Sequence, residues 1–166
     1  MEPLIFSLDP GVTKIGWALT NLNGKTIDYG LISDPCPDEP FNRRMNALIN
    51  YLIFFYSQQL DRHVEYVSWE VVPSFARMNN KDLVQATANT LKVLAFQRKL
   101  NYHEYQAREW HKVFIGKPDC NKEEVKAKVL ELEELSSKHK YDVYDAIAIG
   151  KVAAQENTWE NFSDIS

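Results

Sequence analysis

The chain has 166 residues and a formal net charge of −4, with 45% hydrophobic and 25% charged residues. This length predicts one domain with an ordinary hydrophobic core, and this composition excludes the disordered class. Cys36 and Cys120, the two cysteines, lie outside any CxxC or Cys/His pattern, which argues against a disulfide framework or a zinc site and favours a reducing cytoplasm. No apolar run could span a membrane and no signal-peptide pattern opens the chain, so we expect a cytoplasmic protein.

The charges are unevenly distributed along the chain. The segment Arg77–Lys128 carries eleven Lys and Arg against six Asp and Glu, a balance of +5, whereas the remainder carries eight against seventeen. A basic segment on an otherwise acidic protein is the pattern expected when a surface that binds a polyanion lies beside an acidic pocket. Lysine-rich surface helices are the alternative explanation.

The first part of the chain predicts an antiparallel meander. Strands are predicted at Pro3–Leu8, Thr13–Thr20 and Lys25–Ile32, where β-branched and aromatic residues are frequent. The turn signals Asp9–Gly11 and Asn23-Gly24 separate them. Connections this short join neighbouring antiparallel strands.

The remainder alternates between helices and strands. Strands are predicted at Val64–Glu70 and Tyr102–Tyr105, and apolar spacing of three and four predicts a helix over Phe41–Tyr56. Further helices are predicted at about Asn80–Lys99, Ala107–Phe114, Asn121–Leu135 and Tyr141–Ala154. This order predicts an α/β fold, a mixed sheet flanked by helices, in one domain over residues 1–155 with an acidic tail over residues 156–166.

Four acidic residues are candidates for a catalytic site. Asp9 and Glu70 end predicted strands, and Asp142 and Asp145 lie three apart on a largely apolar side of the last predicted helix. Burying two carboxylates there requires a cation or strong hydrogen-bond partners. Such acids could bind Mg²⁺ or Mn²⁺, and two such ions would activate water and stabilise a leaving phosphodiester oxygen. For Asp9 the alternative is an ordinary turn residue, and for Glu70 it is an acid at the edge of a strand. For Asp142 and Asp145 the alternative is a structural negative charge at a helix N-terminus, which the helix dipole favours.

Three segments resemble the acidic motifs of RuvC-type Holliday junction resolvases. They are Phe6–Gly11 with Gly16–Ala18, Tyr66–Glu70, and Asp142–Ala148. The resemblance spans roughly residues 4–154 and implies a ribonuclease H-like fold, a homodimer, and metal-dependent nicking of four-way DNA junctions. It also implies that two Mg²⁺ or Mn²⁺ ions are bound by the catalytic acids Asp9, Glu70, Asp142 and Asp145. The compact chain resembles phage or mobile-element members, for which we expect the host-cell cytoplasm.

The resemblance also implies a set of DNA contacts. The family usually has a lysine where His111 falls, with Lys112 next to it here, and Lys122 matches a second family lysine. Bacterial members place a junction-probing aromatic after the acid that ends the later strand, a role that Phe75 could take unless it only packs in its loop. The predicted DNA contacts are Phe75, Arg77, Lys81, Arg108, His111, Lys112 and Lys122.

Resolving a junction takes two symmetric nicks, so a two-fold dimer with two acidic clusters is the economical arrangement. The helix predicted at Asn80–Lys99 is the expected interface because Leu83, Leu91 and Leu94 give it an apolar side. The alternative is that this side packs on the chain's own sheet.

Three other functions remain open at the level of sequence. The spacing of Asp9, Gly11, Thr13 and Gly16 also resembles the phosphate loop of sugar-kinase and actin-like ATPases, but 166 residues are too few for their second lobe. A flap or fork endonuclease of the same fold would share the acids. A junction-binding scaffold that no longer cuts is the third alternative.

Overall fold

The computed structural model describes residues 2–11, 13–71 and 81–156. In chain order they form β1 (Leu4–Pro10), β2 (Lys14–Asn21), β3 (Thr26–Ser33), α1 (Phe41–Leu60), β4 (Val64–Val71), α2 (Lys81–Arg98), β5 (Asn101–Gln106), α3 (Ala107–Ile115), α4 (Lys122–Leu132) and α5 (Tyr141–Glu156). Every predicted element is present, with ends shifted by up to four residues. The helix start predicted at Asn80 and the tail beyond Glu156 lie outside the described residues. Within those residues, no helix is long and apolar enough to cross a bilayer.

The five strands form one mixed sheet in the order β3-β2-β1-β4-β5. The first three pair antiparallel, as the short turns predict, whereas β4 and β5 join β1 in parallel. Parallel pairing follows because α1 and α2 carry the chain back across the sheet before each of these strands. In the register of β1 and β4, Leu8 lies opposite Trp69, so Asp9 and Glu70 reach the same edge of the sheet.

The core has two layers because alternate residues of β1 face opposite sides of the sheet. Phe6 and Leu8 pack with α1 and α2, in a cluster that includes Leu91 and Leu94. Ile5 packs on the other side, where α3, α4 and α5 cover the sheet. The α/β prediction is therefore confirmed as a five-stranded mixed sheet with helices on both faces.

One prediction about α2 is wrong in detail. Leu91 and Leu94 are only 0% and 8% exposed and belong to the core cluster beneath their own helix. Leu91 is fully buried and cannot meet a second subunit, whereas Leu94 also lines a groove between α1 and α2. The side chain of Leu83 lies outside the described part of the structure. Apolar spacing shows which side of a helix is buried, but it does not show what covers that side.

Glycines allow α5 to lie directly against the sheet. A Cβ on Gly16 would lie 1.8 Å from the backbone oxygen of Asp142, so no other residue fits there without moving the backbone. A Cβ on Gly150 would meet the hydroxyl oxygens of Ser7 and Thr20 at 2.7 and 2.5 Å. This close packing brings the first turn of α5 to the edge where β1 and β4 end.

Candidate active site

Three of the predicted acids line one cleft of about 380 Å³. Asp9 is next to last in β1, Glu70 is next to last in β4, and Asp145 lies on the second turn of α5. Asp142, on the first turn of α5, stands beside the turn at Gly11 and shares an ion-pair partner with Asp145. The fold therefore brings together Asp9, Glu70 and Asp145, which are 61 to 136 residues apart in sequence.

The carboxylates in this cleft oppose one another's ionisation. Burial, and then the negative charges of Glu70, Asp145 and Asp142, raise the pKa of Asp9 well above its ordinary value. Asp145 is only 7% exposed, and mainly that burial raises its pKa to about 7. Negative charges held close together in a poorly solvated site raise the free energy of the ionised carboxylates, so a positive charge in this cleft would stabilise them.

Lys122 supplies part of that charge. Its Nζ lies 3.6 Å from Asp145 Oδ2 and 4.0 Å from Asp142 Oδ1. Although partial burial lowers it, the surrounding acids, led by Asp145, raise the pKa of the ammonium overall. Asn121 caps α4 in a reciprocal pair of hydrogen bonds with Glu124, which places Lys122 as the first residue of that helix at the rim of the cleft.

The donor set fits a hard divalent cation. Carboxylate oxygens are the ligands that Mg²⁺ and Mn²⁺ prefer, and a dication would relieve the repulsion that raises the pKa of Asp9 and Asp145. In residues 2–11, 13–71 and 81–156, no three His, Cys, Asp or Glu side chains already stand close enough to hold an ion. Binding an ion would therefore require the acids to move closer together.

The predicted DNA contacts fall into three groups. His111 and Lys122 line the cleft with the acids, and His111 hydrogen bonds through Nδ1 to the Pro118 carbonyl at 3.2 Å. Arg108 is exposed, pairs with Asp119 at 3.3 Å, and lines an adjoining cleft of about 470 Å³ that His111 also borders. Lys81 begins α2 and Lys112 is exposed on α3, and neither is part of the cleft lining. Phe75 and Arg77 lie outside the described residues.

Trp110 and Cys120 are among the cleft residues to which the sequence analysis gave no role in the site. Trp110 is 1% exposed, and its indole Nε1 donates to Glu70 Oε2 at 2.7 Å. Cys120 is a half-buried free thiol in the same lining, where burial raises its pKa. The sequence contains one indication of these two residues, which is their closeness to predicted DNA contacts. Trp110 precedes His111, and Cys120 lies two residues before Lys122.

Comparisons with known proteins point to one family. The family model described as "Crossover junction endodeoxyribonuclease RuvC" matches residues 5–152. RuvC of Neisseria meningitidis serogroup C is 28% identical over 159 residues, covering 92% of this chain and 85% of the relative. RuvC of Ehrlichia canis is 23% identical over 150 residues, covering 87% and 92%.

Solved structures support the same fold. Thermus thermophilus RuvC, in complex with a Holliday junction substrate, superposes with a TM-score of 0.74 at 20% identity, covering 96% of this chain and 99% of that one. The structure of Thermus thermophilus RuvC superposes with a TM-score of 0.73. The ribonuclease H-like fold implied by the three acidic motifs is confirmed, and the chain belongs to the RuvC family of crossover junction endodeoxyribonucleases.

Proposed function

We propose that this chain is a divalent-metal-dependent, structure-selective endodeoxyribonuclease that resolves Holliday junctions by paired, symmetric nicks. The observation that carries the proposal is the cleft in which Asp9, Glu70 and Asp145 converge beside Lys122. The family match over residues 5–152 supports the reaction class, and divalent-metal dependence is general in that family.

In this proposal Asp9, Glu70, Asp142 and Asp145 hold two Mg²⁺ or Mn²⁺ ions. When bound, the ions supply an activated water and stabilise the leaving oxygen of the cut phosphodiester. The acids would hold the ions at the edge of the sheet, because they project from two strand ends and one helix that meet there. Lys122, released from Asp142 and Asp145, donates to the phosphate being cut, and His111 faces the same group.

Cleavage of end-labelled four-way, three-way and linear DNA tests the proposal. In magnesium, the four-way junction should be nicked at symmetric positions and linear DNA left intact, and EDTA should abolish the reaction. Asp9→Asn should lower cleavage by several orders of magnitude and leave junction binding in place, because binding rests on phosphate contacts. Asp61→Asn, which changes an exposed acid at the end of α1, is the matched control.

Each alternative has its own outcome in this assay. Equal cutting of three-way and four-way DNA would contradict junction selectivity and indicate a broader flap or fork endonuclease. Tight junction binding with no cleavage in magnesium or manganese would indicate a scaffold. Cutting by Asp9→Asn at the parental rate would contradict the assignment of the acids.

We also propose that the working enzyme is a two-fold dimer joined through the outer faces of α1 and α2. This face carries exposed apolar side chains, including Val93 at 52%, Phe54 at 60% and Ile53 at 37%. Ile53 and Val93 line an apolar groove of about 350 Å³ between the two helices. A second copy of the chain is the proposed occupant because a junction with two equivalent strands requires two clefts related by a two-fold axis.

A further inference from the structure

Trp110 makes a contact that the packing of α3 alone does not require. The indole is 1% exposed, and its Nε1 donates to Glu70 Oε2 at 2.7 Å across 40 positions of sequence. The backbone prepares this contact, because β5 places Tyr105 opposite Glu70 and α3 begins two residues later. A capping box between Gln106 and Glu109 defines where α3 starts.

The hydrogen bond restricts the orientation of the Glu70 carboxylate in the cleft. A buried N–H bound to a carboxylate oxygen is a short, charge-assisted interaction, which immobilises the side chain. Oε2 of Glu70 accepts from the indole, and Glu70 lines the same cleft as Asp9 and Asp145. The contact therefore holds the Glu70 carboxylate in one orientation at the cleft.

The neighbouring tryptophan shows that burial does not by itself produce such a bond. Trp69 precedes Glu70 in β4, is 0% exposed and stacks on Tyr102. Its Nε1 has no hydrogen-bond partner among the described residues. The two indoles lie in the two opposite core layers, and only that of Trp110 reaches the acidic cleft.

We propose that Trp110 is a positioning residue that holds Glu70 in its ligand geometry and thereby sets the affinity of the cleft for divalent cations. This inference rests on the proposed metal-binding function. Groups that orient metal ligands typically contribute about 10- to 100-fold to metal affinity or activity. A purely structural tryptophan would affect stability without changing that affinity.

The test compares Trp110→Phe with Trp69→Phe by calorimetric titration with Mn²⁺ in the absence of DNA. Trp110→Phe should weaken binding by about 10- to 100-fold. The Mn²⁺ concentration that half-saturates junction cleavage should rise by a similar factor, with a smaller loss of rate at saturating metal. Trp69→Phe removes the same atoms from an equally buried site, and it should leave Mn²⁺ affinity within about twofold of the parent, a change under 0.5 kcal/mol.

A second substitution separates the N–H from the shape of the ring. Site-specific benzothienylalanine at position 110 replaces the indole N–H by sulfur and keeps the bicyclic outline, so it remains informative if Trp110→Phe does not fold. It should weaken Mn²⁺ binding as Trp110→Phe does. Unchanged Mn²⁺ affinity in a folded variant without the N–H would overturn the inference and leave Trp110 as core packing.

Failure of the underlying metal site has a different signature. Asp9→Asn should reduce the calorimetric Mn²⁺ signal if the cleft binds the ion. If the parent and Asp9→Asn bind Mn²⁺ equally, the proposed metal site is itself wrong, and the Trp110 inference is overturned with it. Loss of binding in Asp9→Asn together with unchanged binding in the Trp110 variants would overturn only the inference.

Discussion

At the scale of single residues, Asp145 is placed where chemistry and stability conflict. The residue is 7% exposed, and the pKa of its carboxyl group is raised to about 7, mainly by burial. The unfolded chain ionises such a group near its ordinary value of 3.8. Below pH 3.8 the carboxyl group is protonated in both the folded and the unfolded state, so its burial does not lower the free energy of unfolding through ionisation. As pH rises towards 7, the unfolded state releases the proton first, so folding loses stability.

The first prediction follows from that sign. In EDTA, Asp145→Asn should raise the melting temperature at pH 8 by several degrees, since about 1 kcal/mol corresponds to 2–4 °C in a domain of this size. At pH 5 the gain should shrink, because the native carboxyl is then largely protonated and free of charge. Scanning calorimetry at both pH values measures the difference. An equal gain at pH 5 and pH 8 would contradict the assigned burial penalty.

At the scale of elements, the approach of α5 to β2 places Asp145 in the cleft and Asp142 beside the turn at Gly11. Gly16 permits that approach, and the backbone oxygen it faces cannot rotate away as a flexible side chain would. The motif residue Gly16 is therefore a packing requirement of the acidic site.

The second prediction compares two glycines. Gly16→Ala should destabilise the fold by about 3 kcal/mol or more, because overpacking against backbone has no cheap relief. Gly24→Ala, in a hairpin turn with φ of 80° and open space around it, should cost only about 1 kcal/mol. Urea unfolding of the two variants gives both values. Similar losses would show that α5 does not depend on the close approach at Gly16.

Elements were predictable from sequence to the extent that local chemistry determines them. Turn signals and alternation located the strands and placed Asp9 and Glu70 at strand ends, whereas their shared edge follows from the register of β1 and β4. The bond between Trp110 and Glu70 was out of reach because it depends on the parallel register of β4 and β5. The burial of Leu91 was misread as an exposed interface for a related reason, since helical periodicity does not identify the covering layer.

At the scale of the whole molecule, the proposed dimer places two clefts on one junction. The third prediction is that Val93→Asp produces a monomer, because a charge in the centre of an apolar interface is desolvated without a partner. Sedimentation velocity should report a parental mass of twice 19.2 kDa and a variant mass of one subunit. Leu132→Asp, at a similarly exposed apolar residue on α4, is the control and should remain dimeric. A parental monomer, free and bound to a junction, would contradict the dimer.

The most direct test of the whole account uses a supercoiled plasmid that extrudes a cruciform, cut by dimers with one parental and one Asp9→Asn subunit. Two nicks within one complex yield linear DNA, whereas a single nick yields an open circle. We predict linear product from parental dimers in magnesium, mainly open circles from mixed dimers, and neither product from Asp9→Asn dimers. Linear product from mixed dimers at the parental rate would contradict one Asp9-dependent cleft per subunit.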